Sequence, residues 1–575
     1  MRSLSSVVSE KANLIWSVAD KLTGVYKPHE YGDVILPLTV LKRFDSVLSD
    51  TKEKVLEASL KYPKTFAQRD FILKQISEKN FYNTSKYDFK KLLDDPDNIE
   101  VNLRNYINGF SSEVIDIIEN FDFDRHITRM ANNGVLFTVI ETFNSTKANL
   151  HPKEISNIEM GYIFEEIVRK FSESHNEEAG QHYTPREVIE LMVNIVFSDE
   201  KDLADSSKIK TVYDGASGTG GILSASMEYA NKLNTSSKMI CYGQELNAQT
   251  YAICKADMLI KDQEASNIRH GNTLSDDQFA GETFDYIMMN PPFGREWKNE
   301  KDLVLREAKK GFEGRFGAGT PAISDSQLLF LQNAVSKMNK EGSKVAIIHN
   351  GSALFKGDAG SGESEIRRYV IENDLLDCII QLPNDLFYNT GIATYIWVLS
   401  NKKPEHRQGK VQLIDASNYF VKMRKSLGNK RNEITDEQIK EITNIYGNFI
   451  ENEVSKIYPN EFFGYRKITV LTPEFDEKGN VVTNKKGEPI PNKELTDTEN
   501  IPLTESIKDY MDREVLPFNP NAYIDDSKTK IGYEISFTRY FYKYVKPRST
   551  KEIMQEILEL DRQLDGVLEE LQSNE

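Results

Sequence analysis

Hydrophobic positions recur at three- and four-residue spacing over the first 150 residues, as in Leu14, Ile15, Val18, Ala19 and Leu22 or Val114, Ile115, Ile117 and Ile118. That period predicts amphipathic helices, and no Gly-rich strand turn interrupts it. From about residue 155 to 400 the pattern changes to short β-branched runs at 211–213, 238–242, 286–289, 345–348 and 378–382, alternating with helical stretches. Such alternation predicts a mainly parallel sheet covered by helices. Beyond residue 399 the pattern is irregular, and the polar stretch 476–493, with Lys478-Gly479-Asn480 and Lys486-Gly487-Glu488-Pro489, predicts a hairpin or a loop. In the last 27 residues Ser549 and Glu552 form a capping box, followed by Ile553, Ile557, Leu560, Leu564, Val567 and Leu571 at spacings of 4, 3, 4, 3 and 4. This seam predicts a helix that either packs on its own chain or docks a partner protein. No repeat of solenoid period is present in the sequence.

Length and composition narrow the class. A chain of 575 residues suggests roughly three or four folding units. With 39% hydrophobic and 10% aromatic residues, disordered and collagen-like classes are excluded. The longest apolar runs, such as 392–399, fall far short of the ~20 residues that span a bilayer, and the N-terminus lacks a signal peptide's apolar core. A cytoplasmic protein with no membrane association is expected. Cys241, Cys254 and Cys378 sit in apolar segments without a CxxC pattern, so they are expected to be reduced core residues.

Charge constrains the partners. The balance is 72 Lys and Arg against 89 Asp and Glu, a net charge of −17, which argues against gripping nucleic acid by bulk attraction. A DNA partner would need a local basic patch or help from another chain. The most basic stretch is 401–431, where Lys402, Lys403, Arg407, Lys410, Lys422, Arg424, Lys425, Lys430 and Arg431 face only Glu405 and Asp415. A second candidate is the Gly-rich stretch holding Arg306, Lys309, Lys310 and Arg315. It is expected to be a flexible surface loop when the protein is free, ordering on DNA to supply phosphate contacts.

Chemistry-bearing residues gather at predicted strand ends. The loop Asp214-Gly215-Ala216-Ser217-Gly218-Thr219-Gly220-Gly221 links a strand to a helix, as a loop that admits a ligand close to its backbone would. It is not a triphosphate loop, since no Gly-Lys-Ser/Thr follows. Glu245 ends the next strand, where a carboxylate suits a ribose hydroxyl pair unless it is simply a solvated acid. Asn272 ends a third and offers an amide to an adenine edge. The three together suggest an adenosine-containing ligand. A fourth strand ends in Asn290-Pro291-Pro292-Phe293. Its prolines freeze the backbone and leave carbonyl oxygens aimed in fixed directions. Asn290 Oδ1 and the Pro291 carbonyl can each accept a hydrogen from an exocyclic amine while Phe293 offers a flat face to a base.

These motifs resemble the cofactor and catalytic motifs of S-adenosyl-L-methionine-dependent adenine methyltransferases. The segment Gln181-His182-Tyr183-Thr184-Pro185-Arg186 is similar to the one that, in that family, closes over the methionine end of the cofactor. Further segments resemble the modification subunit of type I restriction-modification systems: 14–22 with 35–44, 381–392, Phe463-Gly464-Tyr465-Arg466 and Gly532-Tyr533-Glu534-Ile535. The chain departs from the family pattern at Gly215, where proline is usual, at Asn272, where aspartate is frequent, and at His182, where an aromatic is common.

The resemblance implies an α/β fold: a Rossmann-like methyltransferase sheet core with a helical N-terminal domain and a C-terminal helical extension. The expected domains are 1–155, 156–420 as the catalytic domain, and 421–575 with a partner-docking helix at 549–572. It further implies S-adenosylmethionine as methyl donor, no metal for methyl transfer, and a site-specific DNA adenine N6-methyltransferase. Asn290, Pro291, Pro292 and Phe293 would act on a flipped base, with Phe387 or Tyr388 as its other wall. Implied partners are DNA, a specificity subunit that carries sequence choice, and a second copy of this chain, with room for a restriction (translocase/nuclease) subunit. The competing readings are a self-sufficient DNA adenine methyltransferase, a non-catalytic cofactor-binding scaffold, and a protein glutamine methyltransferase with the same motif.

Overall fold

A computed structural model describes residues 6–174, 184–200, 205, 207–234, 236–388, 390–542 and 548–573. The chain folds as two compact units, residues 1–535 and 536–575.

The first unit is built on one large sheet. Its strands are β1 (Ile209–Asp214), β2 (Lys238–Glu245), β3 (Ile268–His270), β4 (Tyr286–Met289), β5 (Lys344–Asn350), β6 (Leu376–Gln381), β7 (Thr394–Ser400) and β8 (Lys410–Asp415). After these come a two-stranded ribbon, β9 (Val421–Leu427) with β10 (Lys430–Glu433), and β11 (Ser455–Pro459), which returns to the sheet. The spatial order is β3-β2-β1-β4-β5-β7-β6-β8-β11. Strands β1 to β5 run parallel to one another, β7 is antiparallel to both its neighbours, β6 and β8 are parallel, and β11 closes the edge antiparallel. The centre is covered on both faces, so all seven residues of β7 are buried, as continuous apolar runs in a two-sided sheet require. The five β-branched runs of the sequence all fall on strands. All three cysteines are buried and unpaired.

The expected boundary at 420 cuts this sheet. β11 completes it at Ser455–Pro459, and Ile439, Ile442, Ile445 and Tyr446 of the helix Asp436–Gly447 share a core with Val188, Leu191 and Met192 of the helix Arg186–Phe197.

Residues 6–148 carry helices joined by turns and loops, with isolated bridges as their only strand pairing, and they join the sheet layer through the helix Ala248–Ile260. Every residue of that helix from Thr250 to Ile260 is buried, which a helix achieves only between two packed layers. Tyr251, Cys254 and Met258, at spacings of three and four, face the core under the sheet. Ala252, Ile253, Ala256, Leu259 and Ile260 complete the core of the N-terminal helices. Polar ties flank the seam: Lys255 Nζ meets Asp116 Oδ2 at 2.5 Å, and Gln249 Nε2 donates to Asp33 Oδ1 at 2.6 Å.

A smaller antiparallel sheet follows, with β12 (Gly464–Leu471) against β13 (Asp497–Pro502), β14 (Tyr523–Ile524) and β15 (Lys530–Tyr533). The two C-terminal motifs of the sequence oppose each other here. Gly464 pairs with Tyr533 and Tyr465 with Gly532. A Cβ on Gly464 would come within 2.9 Å of the Tyr533 ring, and one on Gly532 would strike the Tyr465 ring. Each glycine leaves room for the tyrosine across from it. The stretch 476–493 forms the expected polar hairpin, with bridges Phe475 to Val481 and Thr483 to Pro489.

In the second unit, Ser549 and Glu552 make the reciprocal capping bonds, backbone Ser549 N to Glu552 Oε2 at 2.8 Å and Glu552 N to Ser549 Oγ at 3.2 Å. They open the helix Thr550–Ser573. Ile553, Ile557 and Leu560 are 40%, 54% and 54% exposed, so this part of the apolar seam is bare. Among the described residues, no helix is long and apolar enough to cross a membrane.

Arg43 is fully buried in the N-terminal core. Its guanidinium donates to the carbonyls of Leu150 and Ile155 and to Asn157 Oδ1, fastening the end of the helical region to the start of the catalytic one. Arg43→Ala strands these buried acceptors, and we expect a loss of about 3 kcal/mol. A lowered denaturation midpoint would be the sign, and a midpoint equal to that of the parent chain would refute it.

Candidate active site

A cleft of 760 Å³ opens at the carboxyl ends of β1, β2, β3 and β4, where open parallel sheets bind ligands because the strand-to-helix turns converge there. Asp214, the loop 215–219, Gly221, Glu245, Asn272, Asn290 and Pro292 line it together with Thr184. Residues far apart in the sequence thus meet in one site.

The glycine loop is set by backbone geometry. Gly218 and Gly220 lie at φ +53° and +85°, conformations that favour glycine. A Cβ on Gly220 would meet Cys254 Sγ at 2.9 Å. Gly215, where proline was expected, has no space for a ring: a Cβ would stand 2.8 Å from the Tyr213 hydroxyl and 3.3 Å from Thr273 Cγ2. Thr273 Oγ1 donates to the Gly215 carbonyl at 2.5 Å, so the third strand end holds the first.

Glu245 is 6% exposed and is not a solvated strand-end acid. Its Oε2 accepts from Gly218 N and its Oε1 from Asn247 N, each at 2.8 Å. These bonds fix the carboxylate between the glycine loop and the helix Ala248–Ile260, whose first turn Asn247 caps. Asp214 is buried behind it and accepts from Ala216 N at 3.0 Å. Burial pushes its carboxyl up to about 8, the neighbouring Glu245 charge adding to the effect and the Ala216 bond opposing it.

Asn272 is satisfied at both ends. Its Nδ2 donates to Glu300 Oε1 at 2.7 Å and its Oδ1 accepts from Leu274 N at 2.9 Å. Glu300 also lines the cleft and was not anticipated from the sequence.

Asn290 stands at the end of β4. Its Nδ2 donates to Thr184 Oγ1 at 2.9 Å, while its Oδ1 is buried with no hydrogen-bond partner. A buried carbonyl oxygen without a donor is costly and is a feature of sites that await a ligand. Phe293 is half-buried, and its ring meets that of Phe387 edge-on, 6.4 Å between centroids at 85°. Phe387 is therefore a side wall, not a parallel face opposite Phe293.

The turn after the motif is held by groups that carry no sequence signature. Gly294 N donates to Asp325 Oδ1 at 3.3 Å, Ser326 N to the Arg295 carbonyl at 3.0 Å, and the buried Trp297 indole to the Ala322 carbonyl at 3.0 Å. One weak signal existed: Trp297 is one of only three tryptophans and stands in a polar segment.

Of the segment expected to close over the cofactor, Gln181, His182 and Tyr183 lie outside the described residues. Thr184 reaches the cleft, Pro185 precedes the helix Arg186–Phe197, and the Arg186 guanidinium lies over the Tyr162 ring beside a separate, smaller cavity. Arg315 does not reach outward as expected. Its side chain is 10% exposed, with guanidinium bonds to Glu307, to the carbonyls of Thr273 and Leu274, and to Asn333. It braces the third strand end. Of the stretch expected to be a flexible surface loop, Arg306 lies in the helix Lys301–Ala308, Gly311–Glu313 form a single 3-10 turn, and Lys309 and Lys310 are exposed. Among the described residues, no three His, Cys, Asp or Glu side chains converge as a metal site would need.

Strand order, the reversed β7 and a glycine loop facing an acid across the parallel strand ends define a Rossmann-like, S-adenosylmethionine-dependent methyltransferase. The profile of the N-6 DNA Methylase family matches residues 156–462 and that of the HsdM N-terminal domain residues 11–143. The chain is 26% identical over 492 residues to the type I restriction enzyme MjaIX methylase subunit of Methanocaldococcus jannaschii, covering 82% of this chain and 83% of that protein. It is 28% identical over 279 residues to the HindI methylase subunit of Haemophilus influenzae, covering 48% of this chain and 57% of that one. The crystal structure of a type I restriction-modification methyltransferase subunit from Streptococcus thermophilus shares the fold with a TM-score of 0.62 at 22% identity, over 79% of this chain and 97% of that one. The chain belongs to the N-6 DNA methylase family, as a modification subunit of the type I restriction-modification kind. It is a DNA adenine methyltransferase subunit.

The raised Asp214 value has a consequence for stability. A carboxyl that is harder to ionise when folded contributes fully below the ordinary carboxylate range, and that contribution is lost as pH rises through about 8. Asp214→Asn stays neutral and keeps an acceptor for Ala216 N. We expect the thermal midpoint of the parent chain to fall relative to this variant as pH rises from the ordinary carboxylate range to about 8, and the two to run parallel above it. Profiles parallel throughout would contradict the assignment.

Proposed function

We propose that this cleft methylates N6 of an adenine everted from duplex DNA, within a complex in which another subunit chooses the sequence. The observation that carries this reading is the Asn290 amide: its Nδ2 is held by Thr184 and its buried Oδ1 has no partner.

The residues present fit the family's cofactor. The loop Ser217 to Gly221 gives a backbone surface bare of side chains at Gly218 and Gly221, Glu245 offers the remaining lone pairs of its carboxylate to a ribose, and Asp214 and Thr184 border the remaining space. Asn272 or its partner Glu300 would meet the adenine end. S-adenosylmethionine, when bound, supplies the methyl group as a sulfonium electrophile.

The chain's own task is to prepare the nucleophile. An adenine amine is conjugated with its ring and is therefore a poor nucleophile. Asn290 Oδ1 and the Pro291 carbonyl, accepting its two hydrogens, would oppose that conjugation and aim the lone pair. Pro291 and Pro292 have no N–H to compete for these acceptors and hold them rigidly. Phe293 would stack on the base, with Phe387 closing the side. Orientation and placed dipoles account for catalysis of this kind without a covalent enzyme intermediate. Everting the base is needed because its amine is unreachable inside the stack.

The assembly inferred is DNA, a specificity subunit and a second copy of this chain, in the cytoplasm, with a restriction subunit as a further member. An acidic chain of net charge −17 gains DNA affinity from partners, and the bare seam at Ile553, Ile557 and Leu560 is what a partner helix would cover.

Transfer of labelled methyl to unmethylated DNA by the chain copurified with its native partners tests this reading. Asn290→Ala should lower transfer by about a hundredfold or more while binding of the cofactor, followed by calorimetry, stays within about twofold. Thr184→Val, which frees the Asn290 amide to rotate, should cost about tenfold in kcat. Normal transfer by Asn290→Ala would end the assignment.

A further inference from the structure

The basic stretch 401–431 divides in two once its partners are known. Lys403 is paired with Asp374 and Arg407 with Asp377, both inside the protein. Lys430 is buried too: its ammonium pairs with Glu187 and donates to the carbonyls of Leu386 and Asn432. Lys422, Arg424, Lys425 and Arg431 are exposed, and among the described residues none of the four makes an ion pair. They sit on the ribbon β9–β10, whose only acid is Glu433.

Strand β9 is wet on both faces: Lys422 and Arg424 alternate with Lys425 along it, and all three are exposed, whereas Lys430 and Asn432 of β10 are buried. A lone two-stranded hairpin is marginal in water, so it must be held, and here its turn and β10 are the parts held. Four bonds reach the loop after β6. Asn429 N donates to the Tyr388 carbonyl at 2.9 Å, Arg431 N and Asn432 N to the Asp385 carbonyl at 2.9 and 3.1 Å, and Asn432 Nδ2 to the Asn384 carbonyl at 2.9 Å. That loop carries Phe387, which meets Phe293 of the catalytic motif. The Lys430 to Glu187 pair ties the start of β10 to the first turn of the helix Arg186–Phe197, three residues after Thr184, which holds Asn290. The ribbon is thus braced against both sides of the active site.

Resting on the adenine-methylating reading, we propose that the ribbon β9–β10 is this chain's own grip on duplex DNA. Lys422, Arg424, Lys425 and Arg431 contact phosphates beside the everted adenine, with Lys430 as the buried anchor. A two-stranded ribbon has the width of a DNA groove. Seven residues of extended strand reach about 20 Å, along a duplex that carries one charge per about 1.7 Å of axis. In a chain of net charge −17, this is a cationic edge bonded to the loop that carries Phe387.

The test uses the full chain copurified with its native partners, unmethylated genomic DNA, and labelled methyl transfer across a salt series. The triple variant Lys422→Ala, Arg424→Ala, Lys425→Ala should raise KM for DNA by about tenfold or more and flatten the slope of log KM against log salt by about 2 to 3, since each phosphate contact contributes about 0.9. Its kcat at saturating DNA should stay within about twofold. Lys422→Arg with Lys425→Arg should keep the parent slope. An unchanged salt slope in the triple variant, whether or not kcat falls, overturns the proposal. A parent complex that transfers no methyl to DNA overturns the functional reading and this proposal together, whereas an active parent with an indifferent variant overturns the ribbon alone.

Discussion

The helix Ala248–Ile260 is the constraint on which the rest of the first unit depends. Among the described residues it is the one element shared by the core beneath the sheet and the core of the N-terminal helices, and its N-cap is Asn247, whose backbone N–H is held by Glu245 in the cleft. Because two close-packed layers press on it from opposite sides, it has little freedom to shift. The position of the Glu245 carboxylate is thereby set by residues as distant as Asp116 and Asp33, which hold Lys255 and Gln249 of the same helix. The N-terminal region is therefore part of the cofactor cleft in a mechanical sense, although none of its described residues lines that cleft.

A similar economy governs the catalytic motif. Two prolines fix their own φ but remove backbone donors from the turn. The hydrogen bonds that hold it come from outside: Thr184 on the side chain of Asn290, Asp325 on Gly294 N, and the Trp297 indole on Ala322. Asp325 is itself embedded in a polar cluster, with Gln327 Nε2 at 2.6 Å and Ser352 Oγ at 3.0 Å from its Oδ2. The cost of leaving Asn290 Oδ1 unpaired is carried by this surrounding framework, the arrangement expected where strain or unmet polarity serves a function.

What was legible in the sequence was local. The runs at 211–213, 238–242 and 286–289 announced β1, β2 and β4 because period and β-branching are properties of a few adjacent residues, and the glycine loop and the Asn290 to Phe293 motif announced themselves by composition. The paired motifs at 463–466 and 532–535 were visible as strings, but their meaning, glycine opposite tyrosine across β12 and β15, is a matter of register between segments about 70 residues apart. Arg315 looked like a surface cation because its partners, Thr273, Leu274 and Asn333, are supplied by the fold. Glu300, Trp297 and Asp325 were missed for the same reason. The boundary set at 420 failed because an antiparallel strand returning to a sheet edge leaves no composition change at the crossing.

The fate of the cations shows why net charge was a poor guide to where this protein meets its substrate. Charge counting treats Lys403, Arg407, Arg315, Lys422 and Arg424 alike. Burial separates them, since a cation taken out of water must be paired, and Asp374, Asp377 and Glu307 are spent on that pairing. The acids so consumed cancel positive charge in the interior, while the remaining excess of acid is spread over a large surface. A short ribbon with four cations outside any ion pair then dominates the field along its exposed edge, because beyond a Debye length of about 8 Å the distant acids are screened. An acidic protein can thus present a phosphate-binding edge without any change in its overall balance, provided that edge is exposed and is held where the reaction occurs.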